Sequence, residues 1–403
     1  MTENMTEVQS SGDLHIIEYD RATDTLQIEK IWCGLLERCE HDYFLSWGWI
    51  SNWLESLPRE VEVRLVVGYL EDCPALAFFL GSTWHWKYGI LPTRTISLNT
   101  TGVRSLDQLY IEYNSVLYIP GLRFDMLSIL GILGNKPWHE FSLPGLSSGF
   151  ACRAGLLDEK NTPNVGLLKE ELTSFYVDLQ KVRAAKMDYL QLLSSNKRSQ
   201  IRRSVKEYQK DGEIQIEAAQ NVAQALDMFE ILVDMHQQDW QERGKPGVFA
   251  NPYLFDFHKR LIASRFDAGE IQILKISTPV TTIGYLYNFV YNCKVLFYQS
   301  GLNYQPGNLF RPGLVSHYYA ILQNAHSDMQ VYDFMAGEAG YKSSLATDSM
   351  PMYWMRLIHG AWRYAAEVKI LRLKNRLKSS PAFFERIKRI RDHVSSFPRP
   401  DSA

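Results

Sequence analysis

Three observations predict an α/β (α+β) protein built on mixed, largely antiparallel twisted sheets flanked by helices. Of 403 residues, 46% are apolar, 13% aromatic and 22% charged, the make-up of a chain that buries a large core. Apolar residues alternate in some stretches and recur at spacings of three and four in others, so strands and helices are interleaved. The pattern restarts near Asp188, which points to two units of similar make-up, although no residue-level repeat connects them.

In the first half, Leu14–Tyr19 reads as a strand, and Leu26, Ile28, Ile31, Trp32, Leu35 and Leu36 form the stripe of a helix. A second helix, Trp47–Leu57, carries Trp49, Trp53 and Leu57 on one face and stops at Pro58. Strands are predicted at Val61–Tyr69, Ala75–Leu80, Thr95–Leu98, Val116–Tyr118 and Glu140–Leu143, with a helix near Phe124–Leu133.

In the second half, a long helix is predicted from Asp188 to Lys210, ended by Asp211-Gly212, and a strand at Glu213–Glu217 follows. Helices are expected over Val222–Arg243 and Pro252–Phe266. Between Ile276 and Phe310 the only charge is Lys294, so Ile283–Tyr291 and Val295–Tyr298 read as a buried hairpin turning at Asn292-Cys293-Lys294. A Pro/Gly loop, Gln305–Gly313, then leads to a helix Leu314–Ala325, a strand Gln330–Phe334 and the segment Gly337–Lys342. Free N–H groups at such a loop and helix start suit a pyrophosphate, and an ordinary strand-to-helix connection has the same composition.

Charge and cysteine content narrow the function. With 43 Lys/Arg against 45 Asp/Glu, the formal charge of -2 gives no global field for nucleic acid. Positive charge is instead concentrated in Glu367–His393, where nine Lys/Arg face three acids, and Pro381 divides that tail into two helical pieces. Docking on an anionic bilayer and docking on the acidic remainder of the protein are equally open for it. Cys33, Cys39, Cys73, Cys152 and Cys293 are scattered without paired spacing, so neither a disulfide framework nor a metal site is expected. Neither a signal peptide nor a membrane-spanning run is visible. A cytoplasmic location, at most peripheral at the inner face of the membrane, is the expectation. P-loop, nucleophile-elbow, zincin and dinucleotide-binding motifs are absent.

Several short motifs, taken in order, resemble the GNAT-superfamily acyltransferases of the CelD-like branch, related to the FemABX peptidyltransferases. They are Phe44-Leu45-Ser46-Trp47-Gly48-Trp49, the basic run Asn196–Ser204, His236-x-x-x-Trp240, Tyr298–Asn303 and the closing Tyr332–Lys342. The likeness is strongest over residues 185–346; Asn99–Gly102 and Ile111–Asn114 extend it into the first half. It implies a flexible N-terminus (1–13), two GNAT-like domains (14–184 and 185–362) and a basic helical tail (363–403). It further implies acyl-CoA, acetyl or longer, as co-substrate without a metal. The acyl group would pass directly to an amine on a sugar, lipid or amino-acid-like acceptor, in polysaccharide or lipid biosynthesis. Aminoacyl-tRNA as donor and a non-catalytic binding protein stay open as alternatives; no sequence-specific nucleic acid is expected.

In that frame the CoA would lie against the edge Val295–Ser300, including Ser300, with Gly307, Arg311 and Gly313 at its pyrophosphate. Gln305-Pro306-Gly307-Asn308 lacks the second small residue of the superfamily's usual loop. Amide formation needs a base for the amine and an acid for the leaving thiolate. Glu338, Asp333 and Glu112 are the candidate bases, and Tyr298 and Tyr341 the candidate acids. Lys342 is placed to hold a phosphate or carboxylate, and Asn114 and Glu112 belong with the acceptor. His236 and Trp240 continue an apolar stripe, so a core role competes with substrate binding. Arg198, Arg202 and Lys206, four apart, would meet an anion or simply solvent.

Overall fold

The computed structural model describes residues 14–125, 137–157, 164–307, 309–337 and 340–378. The N-terminal extension 1–13, the tail beyond 378 and most of the helix expected near Phe124–Leu133 lie outside them. Two runs of elements follow each other, each with a strand, two helices and three strands in the same order. The first is β1 (His15–Asp20), α1 (Thr25–Leu36), α2 (Trp47–Ser56), β2 (Val63–Leu70), β3 (Cys73–Lys87), β4 (Leu91–Leu98), β5 (Leu117–Tyr118), β6 (Glu140–Ser147), α3 (Ser148–Arg153), β7 (Val165–Asp178) and α4 (Leu179–Ala184). The second, opened by α5 (Ser195–Tyr208), is β8 (Gln215–Ala218), α6 (Val222–Glu242), α7 (Pro252–Arg265), β9 (Ile271–Ser277), β10 (Thr282–Tyr291), β11 (Lys294–Leu302), α8 (Pro312–Ala325), β12 (Val331–Ala336), α9 (Gly340–Leu345) and β13 (Asp348–His359), followed by α10 (Ala361–Lys378).

Among the described residues, thirteen strands join one sheet, β1-β2-β3-β4-β6-β13-β7-β12-β11-β10-β9-β8, with β5 added to β3. The last strands are exchanged: β13 pairs with β6 of the first run, and β7 with β12 of the second. They also pair with each other antiparallel, from Asp348↔Tyr176 to His359↔Val165, which welds the two runs together. Each run holds one short parallel pair, β4 with β6 at Thr95–Ser97 and β11 with β12 at Lys294–Leu296. Beyond those three-residue contacts the paired strands diverge.

The helix pairs of both runs pack against each other in one shared core. Trp49 meets Phe257 with ring centroids 5.0 Å apart, Tyr43 stacks on Phe289 at 4.4 Å, and Asn52 donates to the Phe257 carbonyl at 3.3 Å. Burial of these large rings adds to the stabilisation between the runs that the strand exchange provides. Ser46, Asn221 and Asn251 start α2, α6 and α7 by accepting from Trp49, Gln224 and Tyr253 N–H groups.

The sequence reading differs from the structure at several points. β7 and β13 carry no strand prediction, because Lys169-Glu170-Glu171 is exposed within β7 and Pro351 interrupts β13. β9 carries no strand prediction either. The helix predicted over Asp188–Lys210 is broken: Leu193 is extended (ψ 161°) and Ser194 caps a new helix through the Lys197 N–H. Leu26, placed in the stripe of α1, is 83% exposed, since that stripe begins at Ile28.

Gly301 in β11 lies under α6, where an added Cβ would come within 2.4 Å of the Leu232 carbonyl oxygen. Because that neighbour is helix backbone, Gly301→Ala is expected to destabilise the fold by about 2 kcal/mol. Chemical denaturation beside the unmodified protein measures this; an unchanged midpoint would show that α6 yields freely.

Candidate active site

Backbone irregularity opens the second parallel pair. In β11, Tyr287 faces Gln299 and Asn288 faces Phe297, so Tyr298 is an extra, bulged residue. Pairing with β12 ends at Leu296↔Asp333, and Met335 takes a left-handed φ of +61°, turning β12 away. Among the described residues, the β11 edge from Phe297 to Ser300 therefore has no strand partner on the β12 side. Between the strands lies a cleft of about 580 Å³, whose walls include Tyr110, Glu112, Trp240, Lys245, Phe249, Tyr298, Gln299, Ser300, Ala336, Tyr341 and Lys342.

The equivalent gap in the first run is closed by its own chain. Asn114 fills it, donating from its backbone to Gly145 (2.8 Å) and from Nδ2 to the Leu98 and Pro144 carbonyls (3.2 and 2.9 Å). Its Oδ1 accepts from Asn99 Nδ2 at 2.7 Å, and Asn99 Oδ1 accepts from the Phe79 N–H. Gly145, at φ +63°, allows the close approach: a Cβ there would lie 2.3 Å from the Ile111 carbonyl oxygen. From this plug two side chains cross into the open cleft region of the second run.

Glu112 is the first. It is buried, and its Oε2 accepts from the Ala336 N–H at 2.8 Å. Burial raises its carboxyl to about 7, helped by nearby Asp333 and opposed by the Ala336 N–H and by Lys342. Lys342, itself lowered by burial, donates to the Met335 and Ala336 carbonyls at 3.2 and 2.7 Å. Tyr113 is the second. Its hydroxyl donates to Asp333 Oδ2, while Ser174 and the Met335 N–H donate to Oδ1 at 3.1 and 2.6 Å.

Tyr298 also bridges the runs, donating to the Leu109 carbonyl at 2.9 Å. Its hydroxyl proton being so used, the 3.1 Å contact with His258 assigns the proton of that ring to Nε2, and Nδ1 accepts from Tyr287 at 3.3 Å. Full burial lowers His258 to about 3, so the ring is neutral. Tyr341 lies on a wall of the cleft, its ring stacked on His317 at 5.6 Å, and burial raises its hydroxyl well above the usual range.

The structure thus brings together Glu112, Tyr298, Ser300, Trp240, Tyr341 and Lys342. Asp333 lies beneath the cleft with both oxygens engaged, and Asn114 is spent on the plug. His236 donates through Nδ1 to the Ser300 carbonyl at 3.1 Å while its Nε2 has no partner among the described residues, so it braces β11. Gly307 (φ +104°), Arg311 and Gly313 are apart from the cleft walls; Arg311 donates to Gln200 of α5 at 3.2 Å. Arg198 and Arg202 line a separate, shallow groove of about 450 Å³ on α5, with Arg203 and Lys206. Glu338 lies outside the described residues. Sequence reasoning missed Tyr113, Ser174, Lys245 and His258; only Tyr113 lay inside a motif already singled out.

Among the described residues no cluster of His, Cys, Asp and Glu is suited to a metal, and no helix is long and apolar enough to cross a membrane. The raised carboxyl of Glu112 has a consequence for stability. Its folded-state value, about 7, exceeds the reference value of 4.5, so the contribution is full below pH 4.5 and is lost as pH rises through 7. Glu112→Gln is therefore expected to gain stability relative to the unmodified protein between pH 5 and pH 8, by about 3 kcal/mol at most. Denaturation at both pH values checks it; an equal difference at each would contradict the burial effect.

No curated protein sequence matches the chain. Among solved structures, the L-PGS of Bacillus licheniformis shares 8% identity over 86% of this chain and 96% of its own, with a TM-score of 0.48. FemX shares 8% over 84% and 96% (TM-score 0.48), and a tandem GNAT protein from the clavulanic acid biosynthesis pathway 9% over 86% and 98% (TM-score 0.44). At such identities and scores nothing about this chain follows from them. Residues 195–343, however, match the family described as "Acetyltransferase (GNAT) domain", a span that includes α5 to α8, β11, β12, Tyr341 and Lys342. That span is thus similar to an acetyltransferase domain of the GNAT type.

Proposed function

We propose that the protein is an acyl-CoA-dependent N-acyltransferase in which Glu112, supplied by the first run to the cleft of the second, takes the proton of the attacking amine. The observation that carries this reading is a carboxyl held near neutrality on the wall of a cleft bounded by an unpaired strand edge. A base with a pKa close to working pH combines a large ionised fraction with real basicity. The Phe297–Gln299 edge, without a strand partner on the β12 side, suits the amides of a pantetheine arm, and Tyr341, protonated at any ordinary pH, suits the leaving thiolate. In the balanced reaction the amine nitrogen bonds to the acyl carbon and the carbon–sulfur bond breaks. The ammonium proton goes to Glu112 and on to solvent, and the thiolate takes a proton from Tyr341, which solvent restores. Trp240, Phe249 and Tyr110, with Lys245 5.2 Å over Trp240, form an aromatic and cationic mouth for an acceptor of sugar, lipid or amino-acid type.

One observation favours aminoacyl-tRNA as the donor instead: the basic groove of Arg198, Arg202, Arg203 and Lys206, which suits a phosphate backbone. Calorimetric titration with acetyl- and long-chain acyl-CoA separates the readings. Under the proposal one of them binds, while aminoacyl-tRNA supports no turnover. Binding of neither, with turnover on aminoacyl-tRNA that falls steeply with salt, would overturn it. With an accepted donor and amine, kcat/KM should rise with pH to a plateau above about 7. Glu112→Gln should lower it about 100-fold and Tyr341→Phe about 10-fold or more. Full activity in both variants would remove the assignment.

A further inference from the structure

Three exposed tryptophans and an exposed isoleucine gather away from the cleft at one place, the tip of the β3–β4 hairpin and the start of α10. Trp84 is 61% exposed, Trp86 68%, Ile90 80% and Trp362 62%. They form one rigid surface because a buried ion cluster fastens the hairpin to α10. Lys87 pairs with Glu140 and, at 2.6 Å, with Glu367; Arg356 pairs with Glu140 at 3.1 Å; Tyr88 donates to Glu367 at 3.0 Å. A shallow hollow of about 220 Å³, lined by Ile90, Leu91, Trp362 and Ile370 among others, runs along the join.

We infer that this hairpin tip and the outer side of α10 dock the protein on the surface of an anionic lipid bilayer. Two observations select a bilayer over a rigid partner. First, the aromatic groups lie on both faces of the hairpin. Lys87 points toward α10, so Trp86 and Trp84, by strand alternation, point the other way. Ile90 and Trp362 lie on the α10 side. A rigid protein covers one face of a hairpin, whereas the headgroup region of a bilayer surrounds an inserted tip, and tryptophan is the side chain best suited to that region. Second, the adjoining charge has one sign. Residues 361–378 hold Arg363, Lys369, Arg372, Lys374, Arg376 and Lys378 against Glu367 alone, and Glu367 is buried and neutralised by Lys87. Lys369 and Arg372 are exposed on the helix that carries Trp362 and attract anionic headgroups. None of these residues lines the cleft, so the inference stands independently of the acyl donor.

Flotation of the full chain with vesicles of two parts phosphatidylcholine to one part phosphatidylglycerol tests it. Binding is expected, weaker by about tenfold or more on pure phosphatidylcholine and suppressed by high salt. The triple variant W86S/I90S/W362S keeps every charge, and it should lose about tenfold or more of the affinity at an unchanged unfolding temperature. As a second readout on the unmodified protein, lipids brominated near the carbonyl should quench part of its tryptophan emission. No binding to the anionic vesicles, undiminished binding by the triple variant, or no quenching would overturn the inference. So would a dimer in vesicle-free solution that the triple variant abolishes, because the patch would then be a protein interface.

Discussion

The site depends on how two similar gaps in one sheet have their backbone groups satisfied. Where parallel strands splay apart, the N–H and C=O groups on the facing edges lose their partners, and a buried unpaired group is costly. In the first run the Asn99–Asn114 pair and the residues beside it meet that demand from within the chain. In the second run the gap stays open. The segment that closes one gap is the one that sends Glu112 and Tyr113 toward the other, so closure on one side and the buried carboxyl on the other are a single arrangement.

Electrostatics follow from that geometry. A carboxyl crossing into the core between the runs leaves water behind, and one N–H donor with a nearby ammonium offsets only part of the loss. Asp333 shows the contrast: burial raises it too, but three donors converge on its two oxygens and tie it to Tyr113 and Ser174. The exchange of β7 and β13 keeps these two environments in register, because Ser174 comes from β7 and Asp333 from β12, with β7 paired to both β12 and β13.

Much of the architecture is legible in the sequence where periodicity is clean: the Trp49/Trp53 face of α2, the uncharged hairpin of β10 and β11, and the restart of the pattern near Asp188. The two central strands are not, because β7 shows solvent its Lys169-Glu170-Glu171 run and β13 carries a proline, so neither alternates in the way a buried strand does. In the site, Glu112, Tyr298, Tyr341 and Lys342 were reachable from short motifs. The opposite fates of Asn114 and Glu112, two residues apart, were not, since only tertiary placement decides which side chain plugs a gap and which crosses to the other. His258 gave no local sign, because its role depends on Tyr287 and Tyr298, which lie far along the chain.

The most direct test of this account is an infrared titration that follows the protonated carboxyl stretch of Glu112, identified as the band missing from the glutamine variant. The account predicts a band from a desolvated acid that persists at pH 6 and fades with a midpoint near 7. A band already gone by pH 5.5 would mean an ordinary solvated carboxylate, and would contradict the claim that the first run supplies the second with its base.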